Sequence, residues 1–243
     1  MTSAAEPRDT DCDVDVSAIA RLIGEPARAA ILHALLDGRA LTAGELATVA
    51  GLSRPATSNH LGQLADGGLI TMLSSGRHRY ARLAGPEVAT ALEALAMISP
   101  PVAVRSMRMS SAARALRPAR LCYDHLAGEL GVRIHDALVA AGGVELTDDG
   151  MRLTETGQRW VAGIGVDLAV VRTSRRPELR TCLDWTERRF HLAGSVAAAL
   201  TTSVLELGWL ERRRPGERGL TITPTGRRRL EPLLAELEAS PRV

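Results

Sequence analysis

The segment spanning residues 42–83 constrains the fold of this chain more than any other part of its 243 residues. Near its start, Leu46, Ala47 and Ala50 have the spacing of a buried helix face. Gly51 is suited to end such a helix, because glycine readily adopts the left-handed conformation common at helix ends. The segment therefore opens with a short helix and a tight turn.

A second helix and a hairpin follow in the same segment. Ser53 can cap this helix, and Pro55 fits its first turn, where the missing N–H costs little. The residues that recur at helical spacing and should face the core are Thr57, Leu61 and Leu64. Two strand-like runs, 69–73 and 79–83, are joined by Ser74-Ser75-Gly76, which predicts a hairpin. This order of elements predicts a winged helix-turn-helix, whose second helix enters the DNA major groove.

The outward side of the second helix has the chemistry of a DNA-reading surface. Asn59, the chain's one Asn, and Gln63, one of its two Gln, both lie there, and these residue types pair bidentately with adenine. Arg54 can pair with guanine or a phosphate, and His60 is better suited to a cap or phosphate contact than to a metal. The hairpin should reach phosphates or the minor groove. The residues predicted to contact DNA are Ser53, Arg54, Pro55, Ala56, Ser58, Asn59, His60, Gln63, Arg77, His78 and Arg79.

Two motifs resemble one bacterial family. The pattern S-x-P-x-x-S-x-H-L-x-x-L at residues 53–64 is similar to the recognition helix of the ArsR-type winged-helix repressors, and R-x-x-I-L-x-x-L at 28–35 is similar to their opening helix. The resemblance covers roughly residues 17–100. It implies a homodimeric repressor that reads a pseudo-palindromic DNA operator and is released by an inducer. In this family the flanking helices, here 17–37 and 86–98, build the dimer interface.

The sequence divides into four parts. Residues 1–16 are acidic and polar and are predicted to be disordered. Residues 17–99 are predicted to form the DNA-binding and dimerisation domain, and residues 100–118, rich in Arg and Ser, a linker. Residues 119–243 are predicted to form a duplicated domain that binds an effector.

Composition points to a cytoplasmic bacterial protein. All 30 of the Lys-plus-Arg residues are Arg, as is typical of a GC-rich genome. No run of eighteen apolar residues is present, so we expect no membrane-spanning helix and no membrane partner. The first residues lack the pattern of a secretory signal, and three cysteines are too few for a disulfide scaffold.

The second half of the chain repeats itself. His-Leu-Ala-Gly occurs at 125–128 and again at 191–194, and the run LTETGQR at 153–159 returns as ITPTGRR at 222–228. Such self-similarity indicates duplicated supersecondary units. Each copy is predicted to contain a long helix opened by HLAG, a short hairpin and a further helix. The predicted fold class is therefore mainly α with small β-hairpins (α+β): a winged helix-turn-helix followed by tandem helix-and-wing repeats. The Arg-rich second hairpin could bind phosphate or merely solubilise a loop.

The repeats also carry a candidate effector site. The two metal sites known in ArsR-type repressors are absent here, because ELATVAG holds no Cys and PEVATALEALAMI holds neither Asp nor His. Instead a C-x-D unit precedes HLAG in both copies, which gives Cys122, Asp124, His125, Cys182, Asp184 and His191. Thiolates, imidazoles and carboxylates suit zinc or another transition metal, and Cys and His three apart could chelate from one face of a helix.

Other roles for these residues remain open at this point. Cys122 and Cys182 could form a redox pair, or the six residues could serve as core and helix caps. A small organic inducer could instead occupy an Ala/Leu-lined cavity between the halves, lined by Trp160, Trp185 and Trp209.

Three functions compete. The leading hypothesis is a sequence-specific transcriptional regulator released by a small molecule, a metal or thiol oxidation. A winged helix that docks proteins without binding DNA is the alternative, and a metal-dependent enzyme using the Cys/Asp/His cluster is a remote one. The chain lacks G-x-S-x-G, H-E-x-x-H and phosphate-cradling glycine motifs, so we predict that it is not an enzyme.

Overall fold

The computed structural model describes residues 14–76, 78–100, 115–147, 150–213 and 218–239. The helices there are α1 (Val16–Ile23), α2 (Pro26–Ala34), α3 (Ala43–Ala50), α4 (Arg54–Asp66), α5 (Pro86–Ile98), α6 (Gly128–Ala140), α7 (Glu155–Gly163), α8 (Leu168–Val171), α9 (Ser195–Glu206) and α10 (Pro224–Glu238). The strands are β1 (Leu41–Thr42), β2 (Ile70–Ser75), β3 (His78–Leu83), β4 (Arg120–Cys122), β5 (His125–Ala127), β6 (Val144–Thr147), β7 (Gly150–Leu153), β8 (Arg180–Leu183), β9 (Phe190–Ala193), β10 (Leu210–Arg212) and β11 (Leu220–Ile222).

Three sequence predictions concern residues outside these ranges. They are the predicted disorder of residues 1–13, most of the predicted linker at 101–114, and the predicted DNA contact by the wing residue Arg77. None of the helices described above combines the length and apolar character needed to cross a bilayer.

The N-terminal domain is a winged helix-turn-helix, as predicted. α3 begins at a capping box in which Thr42 and Glu45 each accept a hydrogen bond from the other's backbone N–H. Gly51 ends α3 in the left-handed conformation at φ 65°, and the Ser53 hydroxyl accepts from Ala56 N at 3.4 Å to open α4. The left-handed Gly51 and the Ser53 cap together fix the turn between α3 and α4.

A small sheet completes this domain. β3 lies between β1 and β2 in antiparallel pairing, with Leu41 opposite Ala81 and Ile70 opposite Leu83. These side chains are buried with the inner faces of α2, α3 and α4 in one apolar cluster. The cluster supports α4 from beneath, and the β2–β3 hairpin forms the wing.

The C-terminal part contains two copies of one unit. Each copy runs hairpin, helix, hairpin, helix: β4–β5, α6, β6–β7 and α7 in the first, and β8–β9, α9, β10–β11 and α10 in the second. The sequence predicted the last three members of each copy but missed the first hairpin. The prediction that Cys122 and His125 share a helix was therefore wrong, because they lie on paired strands.

A glycine starts the long helix of each copy for the same steric reason. Gly128 and Gly194 have φ of 80° and 99°. A Cβ at Gly128 would lie 2.5 Å from the Arg117 carbonyl oxygen, and one at Gly194 would lie 2.8 Å from that of Glu178. Only glycine fits both the backbone conformation and the close approach, which explains the repeated HLAG motif.

The two copies interlock. The first hairpin of one copy pairs with the second hairpin of the other: Leu220 N donates to Ala119 O at 2.8 Å, and Met151 bridges Leu179. α6 packs on β9, and α9 packs on β5. One continuous apolar core, with Trp160 and Trp209 within it, therefore spans both copies.

One cavity between the copies, lined by β5, β9, α6 and α9, is too small for an organic inducer. Its volume is only about 10 Å³, which is room for one water at most. Its walls are three pairs of equivalent residues separated by 66 positions, Leu126 and Leu192, Gly131 and Ala197, Ile134 and Leu200. Trp160 and Trp209 lie in the core and Trp185 lies against the Arg120 guanidinium, so none of the three lines this cavity.

Candidate DNA interface and metal centre

α4 presents a polar face away from the core. Thr57, Leu61 and Leu64 are at most 3 % exposed on its inner side. On the other side, the exposed residues are Ser53, Arg54, Pro55, Ser58, Asn59 and Gln63, with Ala56 and His60 half-buried at the edge. Because no other described element covers this face, it is accessible to a duplex.

The side chains on this face differ in whether contacts within the protein already hold them. The Asn59 side chain makes no hydrogen bond with any residue that the structure describes. Gln63 is held in place, because Arg28 Nη1 donates to its Oε1 at 2.5 Å, so its amide N–H groups remain as donors. The His60 Nδ1 atom lies 3.7 Å from Glu25 Oε2, on the side of α4 that faces α2. Asn59 is therefore the better placed of the two amides for bidentate pairing.

The wing lies beside α4. β2 packs against α4, and His78 and Arg79 are exposed at the start of β3. Each can reach a phosphate without disturbing the sheet. The structure does not describe Arg77, the third predicted wing contact.

A second constellation forms where the two C-terminal copies meet. Cys122 lies directly opposite His125 across β4–β5, and Cys182 lies directly opposite His191 across β8–β9. The two hairpins face each other, and one ligand atom from each of the four side chains lies within 4.8 Å of every other. All four residues are buried. We call these four residues the Cys2His2 cluster.

A carboxylate lies against each imidazole. Asp124 Oδ1 is 3.2 Å from His125 Nδ1, and Asp184 Oδ2 is 3.5 Å from His191 Nδ1. The Nε2 atoms of both histidines are buried without a hydrogen-bond partner. Carboxylates behind metal-binding histidines commonly orient the ring and raise its basicity. Asp124 is within hydrogen-bonding distance of the His125 ring, whereas His191 Nδ1 makes no hydrogen bond although Asp184 lies beside it.

The sulfur atoms of Cys122 and Cys182 lie next to each other and interact. They lie 3.9 Å apart, within hydrogen-bonding range for sulfur. The Cys122 thiol as donor, followed by His125 and His191, lowers the pKa of Cys182 well below the usual thiol value despite burial. The same pairing, together with burial, raises the pKa of Cys122. The cluster therefore stabilises thiolate on one sulfur, and thiolate is the form that binds metals.

A buried ion pair supports this centre from behind. Arg120 and Asp184 are both fully buried, with Nη2 and Oδ1 3.0 Å apart, and Arg120 also donates to Thr186 Oγ1 at 2.9 Å. Asp184 accepts from Gly128 N at 2.7 Å. Burial raises the pKa of the Asp184 carboxyl, but the charge of Arg120 and these donors outweigh it and hold the pKa well below its usual range. Asp184 therefore ties one copy to the start of the other copy's helix.

Sequence analysis missed some residues that support the centre. It singled out all six Cys, Asp and His positions, which the structure brings together. Arg120 and Tyr123 carried no motif, and Arg218 stood out only as part of the Arg-rich hairpin; the contacts of all three join residues far apart in sequence.

Comparison with known proteins gives three relevant similarities. The helix-turn-helix domain family matches residues 23–72. The HTH-type transcriptional regulator YdfF of Bacillus subtilis is 38% identical over 213 residues, which cover 88% of this chain and 94% of that protein. The HTH-type transcriptional regulator CmtR of Mycobacterium tuberculosis is 43% identical over 91 residues, covering 36% of this chain and 75% of that protein.

Two solved structures match about a third of this chain each. The cadmium metal-sensor CmtR from Mycobacterium tuberculosis aligns with 35% identity and a TM-score of 0.32, over 38% of this chain and 94% of that one. The homodimeric winged helix-turn-helix DNA-binding domain Mb0332 from Mycobacterium bovis aligns with 28% identity and a TM-score of 0.31, over 33% of this chain and 73% of that one.

Proposed function

Because the chain belongs to the ArsR-type winged helix-turn-helix transcriptional regulators, we propose that it is a homodimeric repressor whose DNA affinity is set by a metal ion. Operator DNA would contact α4 and the β2–β3 wing, and the metal would occupy the Cys2His2 cluster. The observation that carries the DNA-binding role is the uncovered polar face of α4, centred on Asn59. A docking module would need no such set of base-pairing side chains.

The homodimer is supported by apolar surface on the flanking helices. α1 is strongly amphipathic yet has no buried residue, with Val16 66 % exposed. α5 exposes Leu95 and Ile98, the latter at 81 %. Exposed apolar side chains gathered on two helices are typical of a protein–protein interface. A second copy covering them would place two α4 helices on successive turns of one DNA face, about 34 Å apart.

The donor set of the Cys2His2 cluster fits zinc or a similar transition metal. Two thiolates on a tetrahedral zinc, each at about 2.3 Å, would lie about 3.8 Å apart. The sulfur atoms of Cys122 and Cys182 lie 3.9 Å apart. The unpartnered Nε2 atoms of His125 and His191 complete an S2N2 set. Four protein ligands fill a tetrahedral shell and leave no position for substrate, which favours an effector role over catalysis.

Burial disfavours thiol oxidation as the signal. Cys122 is 1 % exposed and Cys182 is 5 % exposed. Redox-sensing cysteines are usually accessible to the oxidant, whereas structural and metal-binding cysteines need not be. As a DNA-binding regulator with reduced thiols, the protein would act in the cytoplasm.

DNA binding is tested by fluorescence anisotropy on the upstream region of the protein's own gene and on sequences selected from random DNA. Asn59→Ala should weaken operator binding about 5- to 150-fold, the cost of one bidentate base contact. Its thermal unfolding should not change, because Asn59 has no described intramolecular partner. Unchanged affinity, or no salt-sensitive binding to any sequence, would contradict the proposal.

Metal binding is tested by elemental analysis of protein purified with zinc. We expect one zinc per chain in the wild type and in the matched control Cys12→Ser, and none in Cys182→Ser. Zinc should weaken operator binding by the wild type and leave Cys182→Ser unaffected. Full zinc content in Cys182→Ser, or a Cys122–Cys182 disulfide in freshly purified protein, would refute the metal site.

A further inference from the structure

The turn between two members of the Cys2His2 cluster is strained. Tyr123 follows Cys122 and precedes Asp124 and His125 in the β4–β5 hairpin, and its φ is 61°. An aromatic residue in the left-handed region is unusual and costs free energy. Such a conformation persists only where the surrounding structure fixes it.

The DNA-binding domain supplies that fixation. Tyr123 N donates to the carbonyl oxygen of Leu36, in the loop just after α2, at 2.5 Å. The Tyr123 side chain packs against the apolar core that supports α4. Gly38 has a φ of 73°, and a Cβ there would lie 2.8 Å from the Tyr123 carbonyl oxygen. The loop after α2 is therefore shaped around the Tyr123 turn.

A second connection starts from the same strand. Leu121, the neighbour of Cys122 in β4, donates its N–H to Arg218 O at 2.9 Å. The buried Arg218 guanidinium donates to Glu93 Oε1 on α5 at 3.0 Å and to His33 Nε2 on α2 at 3.1 Å. The strand that carries Cys122 is thus attached to α2 and α5 at two separate points.

We propose that the Tyr123 turn couples the Cys2His2 cluster to the DNA-binding domain, with Tyr123 as a positioning residue; this inference rests on the proposed metal site. A metal bound to Cys122 and His125 fixes both ends of the turn, and hence where the Tyr123 ring lies against the domain. α2, which holds the turn, packs directly on α3 and α4. Without metal, no ion joins the side chains of Cys122 and His125 across the turn, and the position of the ring depends on its contacts with the DNA-binding domain alone. The two states then differ in the placement of α4 within the dimer, which is what changes DNA affinity.

The test uses the full chain with the variant Tyr123→Gly. Glycine adopts a φ of 61° without strain and keeps the N–H that bonds Leu36, so only the docking ring is lost. Zinc affinity, measured by competition with a chelating dye, should stay within about threefold of wild type because no ligand changes. The effect of zinc on operator affinity should fall from about tenfold in the wild type to less than about twofold, since coupling of this size is typical of allosteric proteins.

Two controls separate coupling from general damage. Phe190 precedes His191 in the other hairpin, and its ring centroid lies 6.5 Å from that of His135. The variant Phe190→Gly removes this ring, and its operator affinity should still show the full zinc effect. Gly38→Ala disturbs the same contact from the DNA-binding side and should reduce the zinc effect as Tyr123→Gly does. This second variant keeps the test decisive if Tyr123→Gly folds poorly.

The outcomes distinguish the two proposals. Zinc binding by Tyr123→Gly with an undiminished effect on DNA affinity overturns the Tyr123 coupling alone. A wild type that binds zinc with no change in DNA affinity refutes the effector role. A wild type that binds no zinc refutes the metal site, and the inference with it.

Discussion

At the scale of single residues, the contact of Arg218 with Glu93 and His33 joins the C-terminal copies to the winged helix-turn-helix domain. Arg218 and Glu93 are buried, and removing one partner of a buried ion pair typically costs about 3–5 kcal/mol because the other charge is left uncompensated. The guanidinium has only donors, so His33 must accept with an unprotonated Nε2. Arg218, an arginine of the Arg-rich second hairpin, is thus engaged inside the protein and is not available to bind phosphate.

This contact predicts a pH dependence. Desolvation of the His33 ring, followed by the charges of Arg218 and Arg120, lowers its pKa to about 4 from an ordinary value near 6.5. Between these values the unfolded chain binds a proton that the folded chain excludes, so the contribution of this contact is complete above pH 6.5 and is lost as the pH falls toward 4. His33→Gln keeps an acceptor that does not titrate.

We therefore expect the melting temperature of wild type to drop more than that of His33→Gln between pH 7.5 and pH 5. Differential scanning calorimetry at constant ionic strength measures both. Parallel pH profiles for the two proteins would show that His33 is not the titrating group.

At the scale of elements, α4 and the wing should have separate roles in DNA binding. We propose that the exposed Asn59 and Arg54 read base edges, whereas Arg79, exposed on the wing, contacts a phosphate. Arg79→Ala should therefore weaken binding to all sequences alike and reduce the slope of log K against log salt by about 1. Titrations at several salt concentrations on operator and random DNA give this slope. The matched control Arg229→Ala removes an exposed arginine of α10 and should leave the slope unchanged; an equal loss from both variants would argue against a wing contact.

The elements also show how far sequence reasoning reaches. Thr42, Gly51, Ser53 and the buried positions of α4 act locally, so the winged helix-turn-helix could be predicted from their pattern. The HLAG and T-x-T-G repeats likewise predicted where the C-terminal helices begin. The four residues of the Cys2His2 cluster were identified, but their hairpins were not.

There is a physical reason why the sequence did not predict these hairpins. β4 and β5 are three residues long and buried throughout, so they show no alternation of polar and apolar side chains. β4 and β5 pair with each other, and β4 also bonds a residue about a hundred positions away, as in the contact of Leu121 with Arg218. Such non-local contacts override local propensity and leave no signal in a single sequence.

At the scale of the whole molecule, the interlocked copies imply that neither copy is stable alone. In the second copy, Leu179 just before β8 and Leu220 in β11 bond to the first copy, and helix α9 packs on β5. A chain interrupted after Thr173, in the exposed connection that follows α8, tests this directly.

We expect fragment 174–243 alone to lack a cooperative unfolding transition by circular dichroism. Co-expressed with fragment 1–173, it should fold, co-purify in equal amounts and restore zinc binding. A cooperative melting curve for the isolated fragment would contradict the interlocked arrangement.

The pairing of two copies within one polypeptide has a further consequence. All four residues of the proposed metal site come from a single chain, so occupancy would depend on the concentration of free metal and not on that of the protein. A centre shared between separate subunits would empty on dilution, because its affinity includes the cost of bringing the subunits together. A regulator present at a few molecules per cell can therefore report metal levels independently of its own abundance.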